Sequence, residues 1–361
     1  MSFSYSPSFY DILITSECNL RCKYCYEHNK HKNFVSMDNV KKFIDYIFDK
    51  RYYLQNPSNN DILSVKIMGG ELTLDPELVD KIISYINYKA TINNIRFQVL
   101  FSTNGTLLRH KSVYTVLKKW KNVIGVSTIS FDGSPINNDI SRIFKDGTGS
   151  GTHILNNMKV LRQELEINSA NFDFSCVFDK GLIKYFYDSL LFLKKLGYFT
   201  TAFSDNEGTF SWEEITELES QIRRLKKIGF KIENSTDRNK KNDESDERYL
   251  AKLPGATICN SFELSMDQQG NILPCVSFNN TVFNKCPKIC HINDLNSNDI
   301  FKNDYFEKIL NRAKEMLKDV KCPILFCPAR LLDIQEQNQN TKCFDAKKVM
   351  RVRKLIGELY L

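Results

Sequence analysis

The sequence predicts an α/β fold built on a parallel sheet, because three of its features are typical of that class. Short apolar runs alternate with longer amphipathic runs from Tyr10 to about Phe203. The short runs have the length of strands, and the longer ones carry apolar residues at helical spacing. Polar or glycine-rich motifs follow several of the short runs. Six strand–helix units of this kind form either a partial barrel or a doubly wound sheet.

The segments behind this prediction can be given in order. Strands are predicted over 10–15, 63–68, 95–101, 123–131, 171–178 and 199–203. Helices are predicted over 38–50, 75–88, 110–120, 151–165 and 182–196. The second helix begins at Asp75-Pro76, a typical helix start. In both candidate architectures, active-site residues gather at the carboxyl ends of the strands, so we expect the functional residues there.

The composition argues against several classes of protein. A chain of 361 residues with 42% apolar residues can bury a large core, and no apolar run approaches the roughly 20 residues of a membrane span. No basic segment followed by an apolar one opens the sequence, so we expect no signal peptide and a cytoplasmic protein. The net charge of +7 is mild and favours a solvated surface over nucleic-acid binding. We therefore expect neither a nucleic acid nor a membrane as a partner. Eleven cysteines then favour metal ligation over disulfides.

A polar segment divides the chain. Residues 234–248 are highly charged and lack large apolar side chains, so they cannot bury a core and are predicted to form an exposed linker. An amphipathic helix over 210–232 precedes them. We therefore predict a core over 1–205, a helix and charged linker over 206–253, and a smaller cysteine-rich domain over 254–361.

Three cysteines just past the first predicted strand form a C-x3-C-x2-C run: Cys18, Cys22 and Cys25. Thiolates are the preferred ligands of iron–sulfur clusters. Three of them on a four-iron cluster leave one iron open to a small molecule. A structural zinc site normally takes four ligands, and no fourth lies nearby in the sequence. The run therefore predicts an iron–sulfur site with an open iron.

Paired glycines follow the second predicted strand. Gly69 and Gly70 allow the backbone to approach a ligand closely, and the carboxylate of Glu71 can accept hydrogen bonds from an ammonium group. Glycine turns are common, so this motif alone does not identify a ligand site.

Polar residues follow the third and fourth predicted strands, and an arginine stands before the glycine-rich run 147–151. Asn-Gly and Asp-Gly pairs are also typical of ordinary turns. The glycine-rich run lacks a P-loop lysine, which favours a turn and helix start over a phosphate site. The polar side chains at these places are those of Ser102, Asn104, Ser130 and Arg142. Asp132 is a candidate for ligand binding or catalysis.

At these residues the sequence resembles the radical S-adenosylmethionine (radical SAM) superfamily. The run CNLRCKYC resembles its signature, which implies that Cys18, Cys22 and Cys25 hold a [4Fe–4S] cluster whose open iron binds SAM. The resemblance also implies a partial (β/α)6 barrel and a reaction in which reductive cleavage of SAM yields a 5′-deoxyadenosyl radical. The cofactor contacts that it implies are Tyr24, Gly69, Gly70, Glu71, Ser102, Asn104, Ser130 and Arg142.

The carboxyl-terminal region contains seven cysteines: Cys259, Cys275, Cys286, Cys290, Cys322, Cys327 and Cys343. The first two frame a hairpin-like segment with a turn at Gly270-Asn271, and this arrangement resembles SPASM and twitch auxiliary-cluster domains. The spacing of the others departs from the SPASM pattern. One auxiliary [4Fe–4S] cluster, two clusters or a zinc site remain open. A single cluster would use the first two cysteines and two of Cys322, Cys327 and Cys343, leaving Cys286 and Cys290 spare.

The resemblance implies an enzyme that modifies a ribosomally made peptide or protein by a crosslink, an epimerisation or a side-chain oxidation. The alternatives are an enzyme acting on a small molecule, such as a dehydrogenase, and a sulfatase-maturase-like enzyme that forms formylglycine. A non-catalytic metal-binding module would explain the cysteines but not the motifs at the strand ends. Only 17 residues precede Cys18, so we expect no fused peptide-recognition domain. A leader peptide would then be held by the core or by a separate protein, and flavodoxin or ferredoxin is the expected electron donor.

Overall fold

A computed structural model describes residues 9–25, 27, 30–50, 62–125, 127–164, 172–197, 199–203, 210–232, 263–273, 288–295 and 346–359. The strands of these residues are β1 (Phe9–Leu13), β2 (Ile62–Met68), β3 (Arg96–Thr103), β4 (Ser127–Ser130), β5 (Phe172–Phe178), β6 (Phe199–Phe203), β7 (Glu263–Met266), β8 (Asn271–Leu273) and β9 (Cys290–His291). The α-helices are α1 (Met37–Lys50), α2 (Pro76–Ile92), α3 (Lys111–Trp120), α4 (Pro135–Ser141), α5 (Gly151–Glu164), α6 (Phe186–Leu196), α7 (Trp212–Lys227) and α8 (Ala346–Gly357). Short 3-10 turns cover Leu72–Leu74, Ile183–Tyr185 and Ile292–Asp294.

All nine described strands belong to one sheet with the order β6-β5-β4-β3-β2-β1-β7-β8-β9. Neighbouring strands from β6 to β7 in this order are parallel, and β8 and β9 run antiparallel to their neighbours. The predicted α/β fold with a parallel sheet is therefore confirmed. Within the described strands β6 pairs with β5 alone, so the sheet does not close on itself.

Alternation along the strands separates a core face from an opposite face. On β2, Leu63, Val65 and Ile67 are fully buried in the hydrophobic core that also contains the inward faces of the helices. Ser64 and Lys66 lie on the opposite face, because successive side chains of a strand point to opposite sides. The carboxyl ends of the parallel strands carry the motifs found in the sequence.

Two helix starts are explained by side-chain caps. Asp75 accepts a hydrogen bond of 2.9 Å from Leu78 N, and Pro76 takes the first helical position of α2. Ser211 and Glu214 form a capping box at the start of α7, so this charged helix begins at a defined residue.

Apart from shifted end residues at several elements, the structure differs from the predicted elements mainly at three places. β4 is limited to Ser127–Ser130, although apolar residues extend from 123 to 131. The short helix α4 was outside the prediction because its sequence, PINNDIS, has no apolar periodicity; Pro135 and the Ser134 cap define its start. The carboxyl-terminal helix α8 was also outside it, although Val352, Leu355 and Ile356 are buried at helical spacing.

The hairpin predicted around Gly270 forms as β7 and β8, joined by a turn over 267–270. Gly270 has a φ of +85°, which favours glycine. β7 also pairs with β1, and Ser265 Oγ donates a buried hydrogen bond of 2.8 Å to Asp11 Oδ2. This segment therefore continues the sheet of the core. The boundaries of the three predicted regions stay a prediction.

None of the helices that the structure describes combines the length and apolar character needed to cross a membrane.

Candidate functional site

The three cysteines predicted as cluster ligands lie on one loop past the carboxyl end of β1, which we call the cysteine loop (residues 16–25). Cys18 is buried, Cys22 and Cys25 are half-buried, and all three are free thiols. Within the described residues, no three His, Cys, Asp or Glu side chains converge as ligands of a single metal ion. A four-iron cluster does not need that convergence, because each thiolate binds a different iron.

Backbone hydrogen bonds fix the cysteine loop to the end of α4 and the segment just beyond it. Arg21 N donates to Ile143 O at 2.8 Å, and Lys23 N donates to Ser141 O at 2.9 Å. These two donors lie on either side of Cys22. The backbone of the loop is therefore held in place by protein contacts alone.

The environment of the thiols bears on how they would bind metal. Burial raises the pKa of the Cys18 thiol, and the nearby Glu71 carboxylate raises it further. Burial also raises the pKa of the Cys22 thiol, while the Arg142 guanidinium acts in the opposite direction. Metal ligands must be thiolates, so iron loading of this loop releases protons.

Gly69 and Gly70 let the end of β2 lie directly against the cysteine loop. A Cβ atom on Gly70 would overlap the carbonyl oxygen of Glu17, and one on Gly69 would overlap that of Thr15. Gly70 N donates to Thr15 O, and Glu71 N donates to Glu17 O, both at 2.8 Å. The glycine motif is therefore needed for contact between two backbones as well as for any approach to a ligand.

Glu71, expected to hold an ammonium group, is fully buried and bonded to protein donors. Its Oε1 accepts from Thr73 N at 3.0 Å, from Thr73 Oγ1 at 2.6 Å and from Thr103 Oγ1 at 2.7 Å. Its Oε2 accepts from Asn104 N at 2.6 Å. The carboxylate therefore joins the end of β2 to the end of β3. Because a carboxylate has about four acceptor positions, only Oε2 retains capacity for a ligand.

Asn104 is buried and turns its side chain toward the cysteine loop. Its Nδ2 donates to Asn19 Oδ1 at 2.8 Å and lies 3.6 Å from Cys18 Sγ. Its Oδ1 accepts from Thr106 N at 2.9 Å and from Thr106 Oγ1 at 2.7 Å. The predicted polar turn after β3 is thus in contact with a predicted cluster ligand.

Ser102 and Ser130 lie near the ends of β3 and β4, on the face opposite to the buried Phe101 and Ile129. Both serines are half-buried. No other described residue forms a hydrogen bond with either hydroxyl, so both are available to a ligand on that face.

Tyr24, Asp132 and Arg142 form a hydrogen-bonded chain. Tyr24 Oη donates to Asp132 Oδ2 at 2.6 Å, and Arg142 Nη1 donates to Tyr24 Oη at 2.7 Å. Val177 N donates to Asp132 Oδ1 at 2.9 Å. Arg142 Nε is buried and has no hydrogen-bond partner within the described residues, so it is a donor available to an incoming acceptor.

The titration of this hydrogen-bonded chain is governed by its burial. Burial raises the pKa of Asp132 to about 6, against the opposing influence of Arg142 and the hydrogen bond from Tyr24. Burial raises the pKa of Tyr24 well above its ordinary value, so the phenol stays protonated and donates a hydrogen bond to Asp132. The hydrogen-bonded chain therefore joins a neutral phenol (Tyr24), a buried carboxyl group (Asp132) and a cation (Arg142).

Sequence reasoning missed two residues that support the Asn104 turn. Thr106 comes two residues after Asn104, the spacing of an Asx turn, so a local signal for it exists. Asn157 lies on α5, and its Nδ2 donates to Gly105 O and Thr106 O, both at 2.8 Å. No local pattern points to Asn157, because it reaches the turn only through the fold.

Most of the carboxyl-terminal cysteines, and every one predicted there as a cluster ligand, lie outside the described residues: Cys259, Cys275, Cys286, Cys322, Cys327 and Cys343. Cys290 is described. It is half-buried on β9, and burial raises the pKa of its thiol to about 11. The predicted auxiliary cluster therefore stays a prediction.

Comparisons with known proteins agree with this geometry. The Radical SAM superfamily profile matches residues 12–193. The structure of native anSMEcpe with bound AdoMet and the Cp18Cys peptide covers 98% of this chain and 96% of its own, with a TM-score of 0.70 and 15% identity. Native anSMEcpe with bound AdoMet covers 97% and 96%, with a TM-score of 0.68 and 14% identity. At these identities the likeness shows the fold, which is that of radical SAM barrels.

A relative by sequence covers a smaller part of the chain. Uncharacterized protein MJ0907 of Methanocaldococcus jannaschii is 34% identical over 149 residues, which are 41% of this chain and 46% of that protein. The match therefore spans less than half the length of that relative.

Proposed function

This chain belongs to the Radical SAM superfamily, and on that premise we propose that it modifies a ribosomally made peptide or protein by a crosslink, an epimerisation or a side-chain oxidation. One observation carries the choice of substrate class. The likeness to anSMEcpe, which has been solved with AdoMet and the Cp18Cys peptide, extends over 98% of this chain.

The residues at the strand ends fit the cofactors that family membership implies, a [4Fe–4S] cluster and SAM. The cysteine loop offers three thiols from one short segment, held by backbone bonds. Arg142 Nε is a buried donor without a partner in the described part of the chain, which suits the carboxylate of SAM. When bound, the reduced cluster and SAM supply a radical that abstracts hydrogen from the substrate.

The protein's own residues would bind and orient the cofactors. Cys18, Cys22 and Cys25 would hold the cluster, and Ser102 and Ser130 would offer hydroxyl groups on the open face. Asp132 accepts from Tyr24 and from Val177 N, and its side chain is buried. This geometry favours Asp132 as a residue that positions Tyr24 over one that meets a substrate.

The open sheet supports a large substrate. Among the described strands the two edges of the sheet, β6 and β9, do not pair with each other, so the sheet that these strands form is open. A polypeptide segment can approach the carboxyl ends of the strands through such an opening, whereas a fully closed barrel admits ligands only at its ends.

The remaining components belong to the same proposal. We expect an electron donor such as flavodoxin or ferredoxin, and a leader peptide bound by the core or by a separate protein. At least one auxiliary [4Fe–4S] cluster would be held by Cys259, Cys275 and two of Cys322, Cys327 and Cys343. A sulfatase-maturase-like enzyme that forms formylglycine is an alternative to this proposal.

The proposal is tested in two stages. The chain and a Cys18/Cys22/Cys25→Ala variant are reconstituted anaerobically, and iron content and 5′-deoxyadenosine release are measured. We expect the variant to lose about four irons and all deoxyadenosine release. The chain is then coexpressed with each short reading frame beside its gene, and the peptides are weighed by mass spectrometry.

A mass change in one peptide that is absent with the triple variant supports the proposed substrate class. Deoxyadenosine release that rises with a small alcohol, with no peptide changed, would overturn the substrate class and favour a dehydrogenase. An iron-free protein without deoxyadenosine release would contradict the cofactor assignment itself.

A further inference from the structure

We propose that Asn104 sets the reduction potential of the cluster held by Cys18, because its side-chain amide donates an N–H···S hydrogen bond to that sulfur. The inference rests on the cluster implied by family membership, and it holds whether the substrate is a peptide or a small molecule. Asn104 would then influence how readily the cluster is reduced, in addition to making the SAM contact expected from the sequence.

The orientation of the Asn104 amide is fixed by its partners. Amide oxygen and nitrogen are hard to distinguish by shape, so the hydrogen-bond network must decide between them. Thr106 N is a donor only, and it lies 2.9 Å from one end of the amide. That end must be the oxygen. The opposite end, which faces the cysteine loop, is therefore the NH2 group.

Both hydrogens of this NH2 group have partners on the cysteine loop. One is directed to Asn19 Oδ1 at 2.8 Å, and the other to Cys18 Sγ at 3.6 Å, within the range for a sulfur acceptor. Asn19 Nδ2 in turn donates to Thr106 Oγ1 at 2.8 Å, which closes the network. Asn104 and Cys18 are 3% and 6% exposed, so water does not compete for this contact.

Cys18 receives a second donor, since Leu20 N lies 3.4 Å from the same sulfur. Within the described residues, neither Cys22 nor Cys25 accepts a comparable N–H. The sulfur of Cys25 instead faces the carbonyl oxygen of Glu27 at 3.6 Å. The three ligands are therefore unequal, and the donors are concentrated on Cys18.

Hydrogen bonds to the sulfurs are one of the means by which a protein sets the potential of an iron–sulfur cluster. An N–H donor withdraws electron density from the thiolate and so stabilises the more negatively charged, reduced state. Removing the donor should therefore make the cluster harder to reduce. A residue that only supported the loop would not change the potential in this directed way.

The test is a redox titration of Asn104→Ser. A serine hydroxyl can still accept from Thr106 N and preserve the turn, but it is too short to reach Cys18 Sγ. The signal to follow is the EPR signal of the cluster that is lost in Cys18→Ala. We expect equal iron and sulfide content and a midpoint potential more negative than that of the unmodified protein.

The matched control is Asn157→Ala. It removes two hydrogen bonds to the same turn, at Gly105 O and Thr106 O, and leaves the Cys18 contact in place. We expect its midpoint potential to stay at the unmodified value. An equal shift in both variants, or no shift in Asn104→Ser, would overturn the inference.

A second measurement needs no substitution of Asn104. The chain is labelled with 15N in its asparagine side chains, and pulsed EPR of the reduced cluster is recorded. We expect a 15N coupling to the cluster. The coupling should persist in Asn19→Ser, which removes the labelled asparagine of the cysteine loop itself. Loss of the coupling in Asn19→Ser, or its absence from the unmodified protein, would refute the Asn104 contact even if Asn104→Ser failed to fold.

Discussion

Tyr24 and Asp132 lie 108 residues apart in the sequence, and the Tyr24 hydroxyl donates a hydrogen bond of 2.6 Å to Asp132 Oδ2. Tyr24 belongs to the cysteine loop and Asp132 lies just past β4, so this bond fastens the loop across the edge of the sheet. Arg142, at the end of α4, donates to the same hydroxyl at 2.7 Å. The loop is thus tied to two other elements through one phenol oxygen.

Tyr24→Phe should destabilise the metal-free protein. The substitution leaves Asp132 and Arg142 buried with one partner fewer each, and an unsatisfied buried group costs about 1–3 kcal/mol. Urea unfolding monitored by circular dichroism measures the change. The control is Tyr85→Phe, which removes a bond of 2.9 Å to Asp45 in a partly exposed place and should cost less. Equal losses of stability in the two variants would mean that the buried hydrogen bonds of Tyr24 contribute no more than the partly exposed one of Tyr85.

Asp132→Asn should change how stability depends on pH. Burial raises the pKa of Asp132 to about 6 in the folded protein, above the unfolded value of about 3.9. Between these two values the folded state binds more protons, so the carboxyl contribution to stability is complete below pH 4 and is lost as pH rises through 6. An asparagine side chain does not titrate in this range, so the stability of Asp132→Asn does not decrease for this reason.

The stability of Asp132→Asn relative to the unmodified protein should therefore rise between pH 4 and pH 7, by about 2–3 kcal/mol at about 1.4 kcal/mol for each pKa unit. Urea unfolding of the metal-free proteins across this range measures it. A constant difference at all pH values would show that Asp132 is ionised in the folded protein throughout.

Gly70→Ala should prevent the cysteine loop from packing on β2. The new methyl group would overlap the carbonyl oxygen of Glu17, and overpacking of this kind costs about 1–3 kcal/mol or more. We expect iron content after reconstitution to fall sharply. Gly357→Ala is the control, since open space surrounds that position at the end of α8. Full iron loading of Gly70→Ala would contradict the close approach.

Glu71→Gln should weaken both the sheet edge and the binding of SAM. If the amide oxygen faces Thr73 and Thr103, its NH2 group is turned against Asn104 N, and two donors meet in a buried place. We expect a loss of about 1–3 kcal/mol in unfolding free energy. SAM affinity, measured by equilibrium dialysis on the reconstituted protein, should fall with it.

The exposed pair of Glu77 and Lys81 provides the comparison for Glu71, because Glu77→Gln removes a carboxylate of the same size at the surface. We expect little change in stability there. SAM binding by Glu71→Gln equal to that of the unmodified protein would show that Oε2 has no part in holding the ligand.

Local patterns accounted for the fold class and for the position of the motifs. The periodicity behind α1 and the Asp75-Pro76 start of α2 agree with the structure, because each is set by neighbouring residues. The helix α4 escaped prediction because its seven residues carry a proline start and a cap but no apolar repeat. This helix matters to the site because Arg142 is its carboxyl cap. The end of α4 therefore fixes the position of the Arg142 backbone, from which the guanidinium group extends.

The contacts within the candidate site could not be predicted in the same way. The sequence placed Asn104 after a strand, but its contact with Cys18 joins residues 86 positions apart and depends on the register of β1, β2 and β3. Glu71 was expected to face a ligand. Its bonds to Thr103 and Asn104 arise only when two strand ends are brought side by side.

The pairing of β1 with β7 has a consequence for how this protein is made. Asp11 and Ser265, which join these strands, are 254 residues apart, so the ribosome must synthesise most of the chain before β7 exists. At about 5–20 residues per second, one edge of β1 waits unpaired for a time on the order of tens of seconds. An unpaired edge is open to wrong partners in that interval. We therefore expect this edge of β1 to be completed only late in synthesis, once the hairpin of β7 and β8 has emerged.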